Sequence, residues 1–146
     1  MANMSNLYRE IIMDHYKNPR NKGLLKEDGY VSCHIKNPSC GDEVTIESKV
    51  EDGIIKDIRH DGSGCSICCS NSSIVSEVIK GMKVIDAEVF IDNYLKMVSN
   101  QEYDTSIDFD ELQVFDGIKD FPARVRCASI ASQALLNTIK KENWYG

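Results

Sequence analysis

The sequence predicts an α+β fold, a three-stranded antiparallel sheet with helices packed against it. Runs with a two-residue hydrophobic period lie between residues 31 and 60, and runs with a helical period precede and follow them. A short turn signal joins the last two alternating runs, as in a hairpin. The 146 residues, of which 42% are hydrophobic and 27% charged, are enough to bury one core, so we expect a single domain over residues 1–146.

An amphipathic helix is predicted near the start of the chain. Its apolar stripe consists of Leu7, Tyr8, Ile11 and Ile12. His15 continues this stripe, so we expect it to cover a helix face rather than bind metal. Pro19 then ends the helix.

Three strands follow this helix. The runs VSCHIK from residue 31 and VTIESKV from residue 44 alternate apolar and polar side chains, and IIKDIRH begins at residue 54. The turn signal EDG at 51–53 predicts a hairpin between the second and third runs. Cys33 lies on the apolar side of the first strand, where an unpaired cysteine behaves as a small core residue.

The remainder of the chain is predicted to be mostly helical. Helical periodicity runs through SNSSIVSEVIKGM and IDAEVFIDNYLKMV, and an irregular acidic stretch then leads to Pro122. Pro122 suits the first position of a long final helix. The apolar stripe of that helix comprises Val125, Ala128, Ala131, Leu135 and Ile139.

The amino-acid composition indicates the cellular compartment and the classes of partner to expect. The chain has no apolar run as long as a membrane span, and its start, MANMSNLYRE, lacks the pattern of a signal peptide, so we expect a cytoplasmic protein. In that compartment six cysteines are more typical of thiols, metal ligands or reactive groups than of disulfides. The net charge of −6 comes without a basic cluster, which disfavours nucleic acid and membrane partners.

Cys40 and Asp42 share the loop NPSCGDE between the first two predicted strands. Gly41 separates them and can bend the backbone so that their side chains converge. A loop of this kind exposes ligands or reactive groups.

Cys65 and Cys127 lie at predicted helix starts. Cys65 follows a glycine turn, where backbone N–H groups and the helix dipole favour a thiolate. Cys127 is flanked by Arg126, whose positive charge has the same effect. If the fold brings these cysteines to Cys40 and Asp42, three sulfurs and one oxygen suit a tetrahedral zinc ion, and a reactive thiol site is the alternative.

Four segments, taken in order, span nearly the whole chain and resemble one family. They are LYREIIMDHYKNPRNKG, NPSCGD, GSGCSI and FPARVRCASIASQAL. Together they are similar to the iron–sulfur cluster assembly proteins of the IscU, NifU and SufU type. The resemblance implies one domain of the SufE/NifU-like fold. It also implies that Cys40, Asp42, Cys65 and Cys127 bind the metal.

Within this family the chain is most similar to the SufU type. IscU-type proteins carry a histidine before the last cysteine and a Leu-Pro-Pro-Val-Lys motif nearby, whereas this chain has Arg126 and DFPARVRC. Its segment between Cys65 and Cys127 is also longer. Arginine cannot be a ligand because it stays protonated. We expect Arg126 to support the site by offsetting the negative charge of three thiolates and a carboxylate around zinc.

The SufU resemblance implies a zinc-dependent, sulfurtransferase-like sulfur carrier. It would accept persulfide sulfur from a cysteine desulfurase of the SufS type and pass it towards a downstream Suf cluster-assembly scaffold. Cys40 is the expected acceptor, because it lies in a loop and can leave the metal without unwinding a helix. The alternative is an IscU-like scaffold on which an iron–sulfur cluster is transiently assembled. A purely structural zinc module fits less well, because such sites rarely contain aspartate.

Cys68 and Cys69 depart from the family pattern, which has small or apolar residues without a thiol at these positions. Cys68 lies one helical turn after Cys65 and could compete as a ligand or oxidise when zinc is lost, but we favour helix packing for both cysteines. His60, five residues before Cys65, is expected to be structural or exposed rather than a ligand.

Overall fold

The computed structural model describes residues 6–38 and 41–140. Its elements are α1 (Asn6–Lys17), β1 (Val31–Asn37), β2 (Asp42–Glu51), β3 (Ile54–Ser63), α2 (Ser66–Ile79), α3 (Val84–Val98), a long 3-10 helix (Asp110–Asp120), α4 (Pro122–Val125), a short 3-10 turn (Arg126–Ala128, the Cys127 turn) and α5 (Ile130–Thr138). This order confirms the predicted α+β class. Among the described residues, no helix is long and apolar enough to cross a membrane.

The sheet is antiparallel, with the strand order β1-β2-β3. Val31 pairs with Ser48 across β1 and β2, and Ile46 pairs with His60 across β2 and β3. A two-residue turn connects β2 to β3, and its residues Asp52 and Gly53 have φ angles of 54° and 74°. Positive φ at both positions is the requirement of a type I′ turn, whose twist matches that of the strands. The predicted sheet and hairpin are therefore confirmed.

The core lies between one face of the sheet and the helices α2 and α5. From β2 the inward side chains include Val44 and Ile46, both at most 2% exposed. Ser48 also points inward, and its hydroxyl hydrogen-bonds Thr138 Oγ1 of α5 at 2.7 Å. Cys33 on β1 is half-buried and packs against this core, as predicted.

Helix α1 covers the core with a narrower stripe than predicted. Ile12 and His15 are buried, whereas Leu7 is 62% exposed. His15 uses both ring nitrogens, at 2.7 Å from Ser73 Oγ of α2 and 3.0 Å from Glu111 Oε1 of the long 3-10 helix. The expectation that His15 covers a helix face is confirmed, and its hydrogen bonds tie three elements together.

The acidic stretch before Pro122 is predicted to be irregular, and this prediction is wrong. The stretch contains the long 3-10 helix of 11 residues. A 3-10 helix has three residues per turn, so side chains three apart lie on one face. Four buried side chains follow that period, each at most 2% exposed: Phe109, Leu112, Phe115 and Ile118. Val114 is buried as well, beside Phe115. A period of three differs from the α-helical period, so this segment lacks the pattern that predicts an α-helix.

The final helix is interrupted, so the prediction of one long helix is wrong. It begins at Pro122 as expected, but the Cys127 turn separates α4 from α5. At the break Ser129 has a φ of −118°, and its N–H donates to Arg126 O at 3.0 Å, a 3-10 bond. The buried Tyr94 hydroxyl donates to the Ala128 carbonyl at 2.7 Å, which gives that carbonyl a partner outside the helix. The apolar stripe still faces the core despite the break.

Candidate metal centre

Asp42, Cys65 and Cys127 converge from three parts of the fold. Asp42 is the first residue of β2, Cys65 is the N-cap of α2, and Cys127 lies in the Cys127 turn. One carboxylate oxygen and the two sulfurs all lie within 4.8 Å of one another. Asp42 and Cys127 are buried, and Cys65 is half-buried. The fourth residue of the set expected from the sequence, Cys40, lies outside the described residues.

The Asp42 carboxylate is held by the start of α2. Its Oδ1 accepts a hydrogen bond from the Cys65 backbone N–H at 3.0 Å, and Cys65 Sγ lies 4.0 Å from Oδ2. A carboxylate that accepts a backbone N–H at a helix N-terminus is favoured by both the hydrogen bond and the helix dipole. The hydrogen bond between the start of α2 and the start of β2 therefore holds two potential ligands, Cys65 and Asp42, next to each other.

The two glycines before Cys65 allow this close approach. Gly62 has a φ of +150°, and a Cβ there would overlap the Glu43 carbonyl oxygen of β2. Gly64 has a φ of +156°, and its Cβ would overlap the Asp42 carboxylate. The end of β3 thus reaches the start of β2 only because these side chains are absent.

A chain of buried hydrogen bonds, which could not be predicted from the sequence, ends on Ala128, the residue after Cys127. Asn71 Nδ2 donates to the Tyr94 hydroxyl at 2.9 Å, and that hydroxyl donates to the Ala128 carbonyl at 2.7 Å. Complete burial raises the pKa of Tyr94, which keeps the hydroxyl protonated as a donor. A tyrosine on the apolar face of a predicted helix signals a need for a polar partner, but the identity of that partner depends on tertiary structure.

The donor set fits a zinc ion. Two sulfurs and a carboxylate oxygen from separate elements are ligands that zinc accepts in tetrahedral geometry, and one more ligand would complete the shell. Cys40, two residues before Asp42 in the sequence, is the expected fourth ligand. Calcium and magnesium prefer oxygen ligands and fit the set poorly.

The other residues considered as possible ligands are Cys68, Cys69 and His60. None of them belongs to the ligand group in the described part of the chain. Cys68 is buried, in agreement with helix packing, and Cys69 is half-buried with its Sγ 3.6 Å from the Gly64 carbonyl oxygen. Burial raises the pKa of the Cys69 thiol. His60 donates from Nε2 to the Arg20 carbonyl at 2.7 Å, and burial lowers its pKa, so it has the structural role expected of it.

Two other features bear on the site. Arg126, the residue before Cys127, is exposed. A second group with ligand atoms within 4.8 Å of one another comprises His15, Glu77 and Glu111. In that group the histidine is already hydrogen-bonded on both nitrogens, which accounts for its position without a metal.

Comparison with known proteins identifies the family. Residues 7–128 match the NifU-like N-terminal domain. The chain belongs to this family. The motifs NPSCGD and GSGCSI, which carry Asp42 and Cys65, lie within the matched residues, as does Cys127.

Two relatives are similar over more than nine tenths of the chain. The zinc-dependent sulfurtransferase SufU of Bacillus subtilis is 39% identical over 97% of this chain and 95% of its own length. The iron–sulfur cluster assembly scaffold protein IscU of Thermotoga maritima is 35% identical over 92% of this chain and 94% of its own. The match to SufU confirms that the chain is a SufU-type member of the IscU, NifU and SufU group.

Solved structures confirm the fold. A protein of the SUF system of Fervidobacterium islandicum, described as an iron–sulfur cluster assembly scaffold, has a TM-score of 0.78 at 28% identity, covering 90% of this chain and 95% of its own. The N-terminal part of a NifU-like protein from Brucella abortus has a TM-score of 0.80 at 22% identity, covering 90% and 91%. At that identity the second likeness supports the fold alone.

Proposed function

We propose that this protein is a zinc-bound sulfur acceptor that takes sulfur from the persulfide of a cysteine desulfurase for iron–sulfur cluster assembly. The buried group of Asp42, Cys65 and Cys127 carries this proposal, because its donor atoms fit zinc and lie within 4.8 Å of one another. The 39% identity to a protein named zinc-dependent sulfurtransferase supports the same function. In this proposal Cys40 supplies the fourth ligand.

The ligands have unequal freedom to move. Cys65 is fixed by its N–H bond to Asp42, and Cys127 lies in a turn held by the Tyr94 hydroxyl. Cys40 belongs to the loop between two strands, so its displacement requires no change in a helix. Zinc, when bound, would keep the sulfurs deprotonated and protect them from oxidation. Cys40 is therefore the ligand that can act as a nucleophile while the other three retain the ion.

The reaction is a thiol–persulfide exchange. The Cys40 thiolate attacks the terminal sulfur of the desulfurase persulfide, and a new S–S bond forms at Cys40. The S–S bond of the donor breaks, and its electron pair leaves with the desulfurase cysteine as a thiolate. The transferred sulfur keeps its proton, so atoms, charge and electrons balance without an external oxidant or reductant. The product is a persulfide on Cys40.

The partners follow from this chemistry. The donor is a protein that carries a cysteine persulfide, which a SufS-type cysteine desulfurase generates from free cysteine. The recipient is a downstream scaffold of the Suf type that consumes the sulfur. Arg126 is exposed beside Cys127, and we propose that its charge offsets the negative charge of the centre.

Desulfurase turnover tests the proposal. Alanine release from cysteine by a matched desulfurase is measured with a mild reductant, with and without this protein. Wild type should raise turnover and Cys40→Ala should not. A Cys68→Ala/Cys69→Ala double variant is the matched control and should behave like wild type, because neither residue belongs to the ligand group. If wild type leaves turnover unchanged, the sulfur-acceptor function is wrong.

A cluster scaffold is the second candidate function. It is favoured by the identity to IscU of Thermotoga maritima and by the carboxylate of Asp42, because an oxygen ligand keeps an iron–sulfur cluster labile. The metal content of protein purified without added metal separates the two functions. Colourless protein with one zinc per chain supports the acceptor, and brown protein with iron and sulfide supports the scaffold.

A further inference from the structure

The start of α2 carries two cysteines with the spacing of a dithiol motif. Cys65 is the N-cap of the helix and Cys68 follows it by three residues, so the segment reads Cys-x-x-Cys. The side chains of the N-cap and of the third helical residue face each other, which is the basis of the capping box. Cysteines with this spacing take part in reversible thiol–disulfide exchange. A ligand of the metal centre therefore has a second thiol beside it on the same helix.

The two thiols differ in exposure and in their relation to the metal. Cys65 is half-buried and belongs to the ligand group, whereas Cys68 is 2% exposed and packs in the core. A small oxidant therefore meets the sulfur of Cys65 first. Cys127 also has its sulfur within 4.8 Å of that of Cys65, but as a ligand it would be held by zinc. Cys68 is outside the ligand group, so its sulfur can attack Cys65 while the metal still holds Cys127.

The backbone at Cys65 allows a bond to Cys68. Side chains three residues apart on a helix have Cβ atoms about 5–6 Å apart, and a disulfide requires about 3.5–4.5 Å, so the two must approach by about 1 Å. Cys65 has a ψ of 169°, outside the helical range, and its carbonyl accepts the first helical hydrogen bond, from Cys69 N–H at 3.0 Å. An adjustment at the N-cap therefore leaves the helical hydrogen bonds intact. A pocket bordered by Cys68, Tyr16 and His60 gives the Cys68 side chain room to turn.

We infer that Cys65 and Cys68 form a reversible disulfide that releases the zinc. Cysteine binds a metal as the thiolate, so the disulfide removes one sulfur from the ligand group, and Asp42 and Cys127 alone hold zinc more weakly. Zinc and the disulfide compete for the Cys65 sulfur, so the metal protects it until the ratio of disulfide to thiol is high. The inference requires zinc at Cys65 and is independent of sulfur transfer, which is measured in a reductant that keeps the pair reduced.

The oxidant is a low-molecular-weight disulfide. The Cys65 thiolate attacks one of its sulfurs, a mixed disulfide forms at Cys65, and the other half leaves as a thiolate. The Cys68 thiol then loses its proton and attacks the Cys65 sulfur. The bond between Cys65 and Cys68 forms, and the second half leaves as a thiol with that proton. Two protein sulfurs are oxidised and the small disulfide is reduced to two thiols, so atoms and electrons balance.

Redox titration of the zinc-loaded protein tests this inference. The protein is equilibrated in mixtures of glutathione and glutathione disulfide, and released zinc is measured with a chromophoric chelator. Wild type should release zinc at a disulfide-to-thiol ratio at least about tenfold lower than Cys68→Ala, because a thiol in the same molecule has a high effective concentration. Cys69→Ala is the matched control and should behave like wild type, since it removes the neighbouring, half-buried thiol. Dithiothreitol and added zinc should restore the zinc content of wild type.

Peptide mapping identifies the bond. After alkylation, the tryptic peptide of residues 60–80, which contains Cys65, Cys68 and Cys69, should be alkylated at Cys69 alone and lack two hydrogens. Each of three results would overturn the inference: a cross-link from this peptide to Cys127, equal zinc release by Cys68→Ala and wild type, or the predicted disulfide with zinc retained. Wild type that holds no zinc in reductant would instead refute the metal centre. If Cys68→Ala holds no zinc in reductant, Cys68→Ser replaces it, because serine is closer in size to cysteine and cannot form a disulfide.

Discussion

Substitution of Gly64 by alanine should disable the metal centre without replacing any of its ligands. A Cβ at this position would overlap the Asp42 carboxylate, and the backbone φ of +156° disfavours any side chain. The carboxylate must then move away from the Cys65 N–H, to which it is bonded at 3.0 Å. Because Asp42 would no longer face the two sulfurs, we expect zinc affinity to fall at least about tenfold, equivalent to ~1.4 kcal/mol.

The expected loss of stability has two parts. Backbone strain at a position that favours glycine costs about 1–3 kcal/mol, and a lost hydrogen bond to a charged group costs about 1.5–3 kcal/mol. Gly64→Ala should therefore lower the free energy of unfolding of the metal-free protein by about 2.5–6 kcal/mol. Gly81 has a φ of +93° and open space around its Cβ position, so Gly81→Ala isolates the strain and should cost about 1–2 kcal/mol.

Urea unfolding and competition with a chromophoric zinc chelator measure the two quantities. Gly81→Ala should bind zinc like wild type, while Gly64→Ala should bind it more weakly. Equal zinc affinities for Gly64→Ala and wild type would refute the idea that the glycine makes room for Asp42. Equal losses of affinity in both glycine variants would show that general destabilisation, rather than the collision, is responsible.

Four further predictions follow from the site and its surroundings. Elemental analysis should find most of the zinc lost in Cys65→Ser and Cys127→Ser but retained in Cys69→Ser, and the reverse pattern would contradict the ligand assignment. Tyr94→Phe should cost about 1–3 kcal/mol in urea unfolding and weaken zinc binding, because the Ala128 carbonyl loses its donor; unchanged affinity would show that this bond does not position Cys127. Arg126→Ala should lower zinc affinity by less than about tenfold, since an exposed charge is screened. That loss should shrink at high salt, and no loss at low salt would remove Arg126 from the site. Burial lowers the pKa of His60 below its ordinary 6.5, so protons favour the unfolded state and stability should fall as pH drops below that value. This part of the pH dependence should be absent in His60→Gln, and an identical pH profile would contradict it.

The sheet could be predicted because its signals are local. Alternation at a period of two, and the Asp52-Gly53 turn with positive φ at both residues, specify antiparallel pairing without reference to the rest of the chain. The candidate ligands Cys65 and Asp42 could also be selected from local signals, since one follows glycines at a helix start and the other follows a loop glycine. Local signals do not show that these residues converge, because that depends on the register of the sheet. The family resemblance was the basis for predicting that they bind one metal.

The interruption of the final helix could not be predicted from local signals. Its residues have an apolar stripe with helical spacing, and Pro122 begins the helix as expected. The break coincides with the carbonyl of Ala128, whose partner is the hydroxyl of Tyr94, 34 residues away in the sequence. A hydrogen bond over this separation overrides local propensity, and it places Cys127 in a 3-10 turn instead of a regular helix.

The location of transferred sulfur tests the central claim most directly. The zinc-loaded protein is incubated with a cysteine desulfurase and cysteine, its thiols are alkylated, and its peptides are mapped by mass spectrometry. We predict one additional sulfur on the peptide that contains Cys40 and none there in Cys40→Ala. Additional sulfur on Cys127 instead, or no additional sulfur on any peptide, would contradict the assignment of this protein as a zinc-bound sulfur acceptor that acts through Cys40.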